Sequence, residues 1–349
     1  MHVISQNLIE RISQQSVEGG SVYQPFFVKI KLLWECNLTC SFCNLPKGIA
    51  PMRPEYARSL IDQLAIMGCG KINFSGGEVF LYDGIFELLD HTVKRGIKVN
   101  CTSNGTMLNK ENVKRLRDSG INSITISLDA ATADLHDKIR GVKGTWKRAV
   151  KAMGLLEKYG VKSSVNTVAH LSNMHELDAL HRLLYSINPK IRWNILPIHG
   201  CKESRISGTV ASLLSNMADE WILLRHNPFP KNSSDALMYE HGWYAFERLQ
   251  KRPQCFAPWI SLFITPDGYV YSCCKGRTTM LPWGRLTGDT LLEQICTTPI
   301  AISQRESMLH GTPDSVCKRC RDFSEINESI ESICSIEKQD VFCNDAART

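Results

Sequence analysis

Three cysteines in the run Cys36-Asn-Leu-Thr-Cys40-Ser-Phe-Cys43 offer three thiolates from one short loop. Three sulfurs on such a loop can hold three irons of a 4Fe-4S cube and leave the fourth iron open. Cubes that only carry electrons normally take four cysteines, yet the next one here is Cys69, beyond a predicted helix. An open iron suits ligand chemistry better than electron storage. Zinc is the competing reading, but structural zinc sites usually combine paired cysteines with a fourth ligand at regular spacing, and this spacing fits that poorly.

About thirty residues downstream stands Phe74-Ser75-Gly76-Gly77-Glu78. Without side chains, a glycine pair lets backbone polar groups come close to a ligand. In this order the two motifs resemble those of the radical S-adenosylmethionine (radical SAM) superfamily, whose cluster loop reads CxxxCxxC with an aromatic residue before the last cysteine, here Phe42. The resemblance implies that Cys36, Cys40 and Cys43 hold the cluster and that Gly76, Gly77 and Glu78 receive the amino end of S-adenosylmethionine. It further implies Asn104 and Ser127 as ribose or carboxylate contacts, and Phe42 as a residue packed near the adenine or sealing the cluster from water. Arg140 could pair with the cofactor carboxylate as a charge-assisted donor, a surface salt bridge being the alternative. The bland alternative for the whole pattern is a set of core cysteines beside an ordinary turn.

The elements that must position these residues follow from periodicity. From Phe26 to about Pro197, short apolar runs alternate with amphipathic stretches, the pattern of strand-helix units on a parallel sheet. Strands are expected at Phe27 to Leu33, Lys71 to Phe74, Lys98 to Thr102, Ser123 to Leu128, Lys162 to Val168 and Ile191 to Leu196. Ala57, Leu60, Ile61 and Leu64 share one helical face, as do Ile85, Leu88, Leu89 and Val93. Ligand sites of parallel α/β folds lie at the carboxyl ends of the strands, and both motifs fall there, as do Ser103-Asn104-Gly105 and Ser127-Leu128-Asp129. Fold class is therefore α/β, a partial (β/α)6 barrel like a TIM barrel cut open, which is also what the resemblance implies.

A small cysteine-rich α+β domain is expected behind it. Leu262 to Tyr271, centred on Thr265-Pro-Asp-Gly268, reads as a β-hairpin whose ends would bring Cys255 and Cys273 together. With Cys317 and Cys320 these could hold a further 4Fe-4S cluster with complete cysteine ligation, a four-thiolate zinc site being the alternative. This arrangement resembles the auxiliary-cluster extension called SPASM in its two-cluster form and Twitch in its shortened form. Positions 321 to 333 lack the further cysteines of the longer form, which favours one auxiliary cluster over two. Cys274, Cys334 and Cys343 remain as ligands for a second. The expected divisions are an N-terminal extension 1–25, a barrel core 26–200, a helical bridge 201–254, an auxiliary domain 255–322 and an acidic tail 323–349.

Composition narrows the rest. Fourteen cysteines in a chain with no secretion signal argue for metal ligation in a reducing, cytoplasmic setting. Cys69, Cys101, Cys201 and Cys296 read as buried small residues, with Cys201, near His199, the one with a possible catalytic role; Trp193 reads as core. No run reaches the ~20 apolar residues that span a bilayer, and the net charge of +6 contains no dense Lys/Arg block for nucleic acid. A mildly basic surface could dock an acidic, low-potential electron donor, a flavodoxin or ferredoxin. By resemblance, the activity is reductive cleavage of S-adenosylmethionine to a 5'-deoxyadenosyl radical that abstracts hydrogen from a substrate. A small alcohol or sugar-like molecule is the leading expectation, because about twenty-five residues before the first strand are too few for the leader-binding domain of peptide-modifying relatives. Maturation of a peptide is the second reading, and a non-enzymatic iron-sulfur carrier the third.

Overall fold

The structure, a computed structural model, describes residues 23–169, 172–197, 255–274, 276–288, 290–309 and 317. The expected bridge 201–254, the tail 323–349, His199, Cys201, Cys320, Cys334 and Cys343 lie outside the described residues.

Six strands build the core: β1 Phe27–Leu33, β2 Lys71–Gly76, β3 Lys98–Ser103, β4 Ser123–Ser127, β5 Ser163–Ala169 and β6 Arg192–Pro197. Each pairs in parallel with its sequence neighbour. Helices α1 Pro54–Ile66, α2 Ile85–Lys94, α3 Lys110–Asp118, α4 Ala133–Arg140, α5 Thr145–Lys158 and α6 Leu177–Ile187 lie between them. One face of every strand is apolar and packs on those helices: Val28, Ile30 and Leu32 of β1 and Ile72 and Phe74 of β2 join Leu60, Ile61 and Leu64 of α1 in a single core. Truncating a residue such as Leu64 to Ala would cost about 2–5 kcal/mol. α1 starts at Pro54, whose fixed φ suits the first helical position, and Gly96, Gly120 and Gly160, all with φ near +70° to +80°, end α2, α3 and α5.

The opposite, concave face is polar and interlocked. Asn73 of β2 donates to Asn100 Oδ1 of β3 at 3.0 Å, Asn100 donates to Ser123 Oγ at 2.7 Å, and Asn194 of β6 donates to Asn166 of β5 at 2.9 Å. Thr125 and Ser164 meet at 2.9 Å between those pairs. The sheet is thus packed on helices on one side and carries a lattice of amides and hydroxyls on the other.

The C-terminal part extends this same sheet. It contributes α7 Ala257–Ile260, β7 Ser261–Ile264, β8 Tyr269–Tyr271, α8 Gly276–Thr279, β9 Gly284–Arg285, α9 Leu292–Cys296 and α10 Pro299–Leu309. β7 adds in parallel to β1, and the hairpin to β8 turns at Gly268, so the strand order runs β6-β5-β4-β3-β2-β1-β7-β8-β9. The joint is tight: Tyr23 Oη donates to the Ser261 carbonyl at 2.7 Å, Tyr23 meets Trp283 edge to face at 5.7 Å, and the Arg305 guanidinium covers both rings. The hairpin thus continues the sheet beside β1. Among the described residues no helix is long and apolar enough to cross a membrane.

Candidate active site

The cysteine loop leaves the carboxyl end of β1 and is fastened on three sides. On the first, the Gly77 and Glu78 amides donate to the Leu33 and Glu35 carbonyls at 3.0 and 2.9 Å. A Cβ on Gly76 would run into the Leu33 carbonyl, and one on Gly77 into that of Glu35. The expected reason for this pair was close approach to a ligand; the structure adds that the two strand ends could not meet at all with larger residues.

On the second side, Asn104 holds the loop. Its Nδ2 donates to Asn37 Oδ1 at 2.8 Å and to the Cys36 sulfur at 3.9 Å, while its Oδ1 accepts from the Thr106 amide and hydroxyl. Glu78 braces Asn104 in turn. Fully buried, its carboxylate accepts from Ser103 Oγ at 2.7 Å, the Asn104 amide at 2.7 Å and the Phe80 amide at 3.2 Å. Burial pushes the Glu78 pKa up, and these donors pull it back. Glu78 is thus a strut between the ends of β2 and β3.

The third side is the carboxyl end of α4. Helix ends leave carbonyls without partners; here Ile139 and Arg140 give theirs to the loop amides of Ser41 and Thr39 at 2.9 and 3.1 Å. Gly141, with φ +75°, turns the chain away directly over Thr39, where a side chain would collide. Arg140 itself is buried. Its Nε pairs with Asp129 at 2.7 Å, its Nη1 lies 3.8 Å from the Cys40 sulfur, and the guanidinium sits 5.4 Å from the Phe42 ring centre. The surface salt bridge considered for Arg140 is therefore corrected: the pair is an interior one, with side-chain exposures of 9% and 0%.

Asp129 is the organiser that sequence reasoning did not single out. Besides Arg140 it accepts from the Val168 amide at 2.9 Å, and its own amide donates to His136 Nδ1 at 3.1 Å. His136 is consequently neutral: burial, then the Arg140 charge, push its pKa down to about 4. Asn37 was missed as well. Asp129 closes the stretch Ser127-Leu128-Asp129, but nothing local marks it as the partner of Arg140, because the burial that makes an arginine need an acid is a tertiary property.

Ser127, also expected at the site, ends β4 on the concave face, in register with Asn166. Cys36 and Cys43 are exposed and Cys40 half-buried. Among the described residues no three His, Cys, Asp or Glu side chains gather as ligands of a single metal ion; a cube, bound at three separate corners, asks for no such convergence. The donor set suits a cube: three sulfurs on one loop, two of them facing N–H donors of the kind that tune iron-sulfur sulfurs. Cys255 and Cys273 are half-buried and Cys317 buried, and Ser261 Oγ ties the strand that follows Cys255 to the Ser272 carbonyl at 2.6 Å. Cys69, Cys101 and Cys296 are buried and raised in pKa by desolvation, Cys69 and Cys296 to about 12, in keeping with packing roles. Trp193 is core too, its Nε1 donating to Thr167 at 2.8 Å.

An opened α/β barrel with a three-cysteine loop on its first strand and a cysteine-rich extension on the sheet edge defines a class of iron-sulfur protein. Residues 35–184 match the family model "Radical SAM superfamily", residues 255–321 match "SPASM", an iron-sulfur cluster-binding domain, and the chain belongs to the radical SAM superfamily with a SPASM domain behind its core. The radical SAM domain takes a 4Fe-4S cluster and S-adenosylmethionine, and the SPASM domain takes auxiliary iron-sulfur clusters. Among relatives, an AdoMet-dependent heme synthase of Nitratidesulfovibrio vulgaris is 26% identical over 68% of this chain and 65% of its own length. The subtilosin biosynthesis protein AlbA of Bacillus subtilis is 25% identical over 71% of this chain and 55% of its own. The chain thus spans less than two thirds of these relatives. Among solved structures, Streptococcus suis SuiB bound to S-adenosylmethionine superposes with a TM-score of 0.64 at 18% identity, covering 90% of this chain and 73% of that one. That likeness concerns the fold.

Proposed function

We propose that this chain is an enzyme that reductively cleaves S-adenosylmethionine and uses the resulting radical to take hydrogen from a substrate held in the chamber of the half-barrel. The observation that carries this reading is the three-cysteine loop fastened on three sides, with Cys36 and Cys43 exposed on it and Cys40 half-buried. In it, Cys36, Cys40 and Cys43 hold the cube. When bound, the cube and S-adenosylmethionine supply the electron and the 5'-deoxyadenosyl radical, which is the cofactor's chemistry and not the protein's.

The residues supply position. Arg140 and Asn104 set hydrogen bonds on two cluster sulfurs, Gly76 and Gly77 keep the ends of β1 and β2 close enough to form the floor under the cofactor's amino end, and Glu78 fixes that floor to Asn104. Phe42 and the buried Arg140 close the loop against water, and Ser127 lies where a ribose or carboxylate contact is expected. Cys255, Cys273, Cys317 and Cys320 hold one auxiliary cluster, which either accepts an electron from the substrate or helps to anchor it. A low-potential flavodoxin or ferredoxin serves as donor.

For the substrate, the leading reading is a small molecule, supported by the similarity to heme synthases along 246 residues and by the charge of the chamber face described below. Peptide modification is the second reading, favoured by the similarity to AlbA and to the PqqA peptide cyclase of Rhodopseudomonas palustris, the latter 25% identical over 49% of this chain.

The deciding experiment is anaerobic incubation of reconstituted protein with dithionite and S-adenosylmethionine, followed by assay for 5'-deoxyadenosine. Product is expected, and its loss on replacing Cys36, Cys40 and Cys43 together by Ala. Equal product from that variant would contradict the assignment.

A further inference from the structure

The strand residues that alternate with the apolar core face into the chamber, and among them stand Lys29, Lys31, Lys71, Lys98 and Arg192, with no Asp or Glu on the described part of that face. The amides and hydroxyls of the lattice pair with one another, Arg192 Nε also donates to Asn194 Oδ1 at 3.2 Å, and none of the five cations takes part in an ion pair among the described residues. Among the described residues the wall itself carries no carboxylate to balance them.

The charge concentrates at the seam between β1 and the C-terminal hairpin. Lys31 Nζ lies 6.0 Å from the ring centre of Trp34, and the Arg277 guanidinium lies 5.4 Å from the same ring. The ionisable groups acting on Lys31 are Lys29, Cys274, Arg277 and Cys43; none is a carboxylate. Beside it two buried donors have no partner: Oγ of Ser75, which is in register with Lys31 across β1 and β2, and Nε1 of Trp34. Buried polar groups are rarely left unmatched without a ligand or water to meet them. Cations crowded around one indole, with two unmatched donors alongside, form a receptor for an anion.

We propose that Lys31, Lys29 and Arg277 form an anion subsite at this seam and that the substrate is a small polycarboxylic acid whose acid group docks there, between the cysteine loop and the SPASM hairpin. Lys71, Lys98 and Arg192 stand lower on the same face, at the strand starts, with Lys98 and Arg192 exposed. The inference rests on reading the half-barrel as the substrate chamber.

The test uses the reconstituted protein loaded with S-adenosylmethionine, and propane-1,2,3-tricarboxylate with its neutral triamide as probes, by calorimetry. The acid is expected to bind at least tenfold more tightly than the amide. Lys31→Met, and separately Arg277→Met should the first variant not fold, should weaken the acid at least tenfold, leave S-adenosylmethionine affinity unchanged and still give 5'-deoxyadenosine with dithionite. Lys151→Met, on the outer surface of α5, should change nothing. Equal binding of acid and amide, undiminished binding by Lys31→Met, or a parallel loss of S-adenosylmethionine affinity, which would assign the lysine to the cofactor, each overturns the proposal. Tighter binding of a triglutamate peptide than of the small acid would overturn the small-molecule assignment. Lys31-dependent acid binding in a protein that forms no 5'-deoxyadenosine would retain the subsite and sink the enzymatic reading instead.

Discussion

Arg140 reaches the Cys40 sulfur at 3.8 Å only because Asp129 grips the other edge of its guanidinium at 2.7 Å. A buried ion pair is weak evidence of net stability, but removing one partner strands a charge and typically costs 3–5 kcal/mol. Asp129→Asn should destabilise the cluster-free protein to chemical denaturation by about that amount, and Asp129→Asn with Arg140→Met should recover part of the loss, because both charges then leave together. A double variant no better than the single would mean that the pair is not the unit.

Replacing Gly77 by Ala should displace the cysteine loop, since the new Cβ meets a backbone oxygen that cannot move aside. Iron bound after reconstitution is the readout, with at least a severalfold loss expected. Gly154→Ala is the contrasting case. Its site on the outer face of α5 has nothing within 4 Å, so the helix should gain roughly 0.5–1 kcal/mol with iron unchanged. Full iron loading by the Gly77 variant would show that the two strand ends can separate.

Much of this was legible in the sequence, and the limits have physical causes. All six core strands and the Leu262 to Tyr271 hairpin follow from local apolar alternation, and observed ends differ from expected ones by no more than two residues. The cysteine and glycine motifs were legible because their spacing is local. Addition of β7 to β1 was not, since it depends on contacts such as Tyr23 with Ser261, 238 positions apart. Arg140 illustrates the same limit: its identity and place after α4 can be read, but whether it faces solvent, cofactor or a sulfur depends on where Asp129 and the loop arrive. Asn37 reads as an ordinary loop residue until Asn104 is found opposite it.

The neutral His136 makes acid sensitivity predictable. Its folded pKa, about 4, lies below the usual 6.5, so between those values the unfolded chain binds a proton that the fold refuses. This contribution to stability is complete above pH 6.5 and is lost as pH falls toward 4, up to about 3 kcal/mol. Urea unfolding of the cluster-free protein from pH 7 to 4.5 should show that slope, and His136→Gln should flatten it. An unchanged slope would place the sensitivity elsewhere.

Iron content separates the readings of the C-terminal cysteines. After anaerobic reconstitution, about eight irons per chain are expected for one auxiliary cube, about four would indicate zinc there, and about twelve would indicate two auxiliary cubes. Cys273→Ala should remove about four irons and leave the N-terminal cube in place.

The most direct test is electron paramagnetic resonance of the dithionite-reduced protein before and after S-adenosylmethionine is added. With Cys255, Cys273 and Cys317 replaced so that only the N-terminal cube contributes, its signal should change in g-values as the free iron gains the nucleotide's amino and carboxylate groups. A reduced spectrum indifferent to the nucleotide would mean that no coordination position is free, and the proposed activity would fall with it.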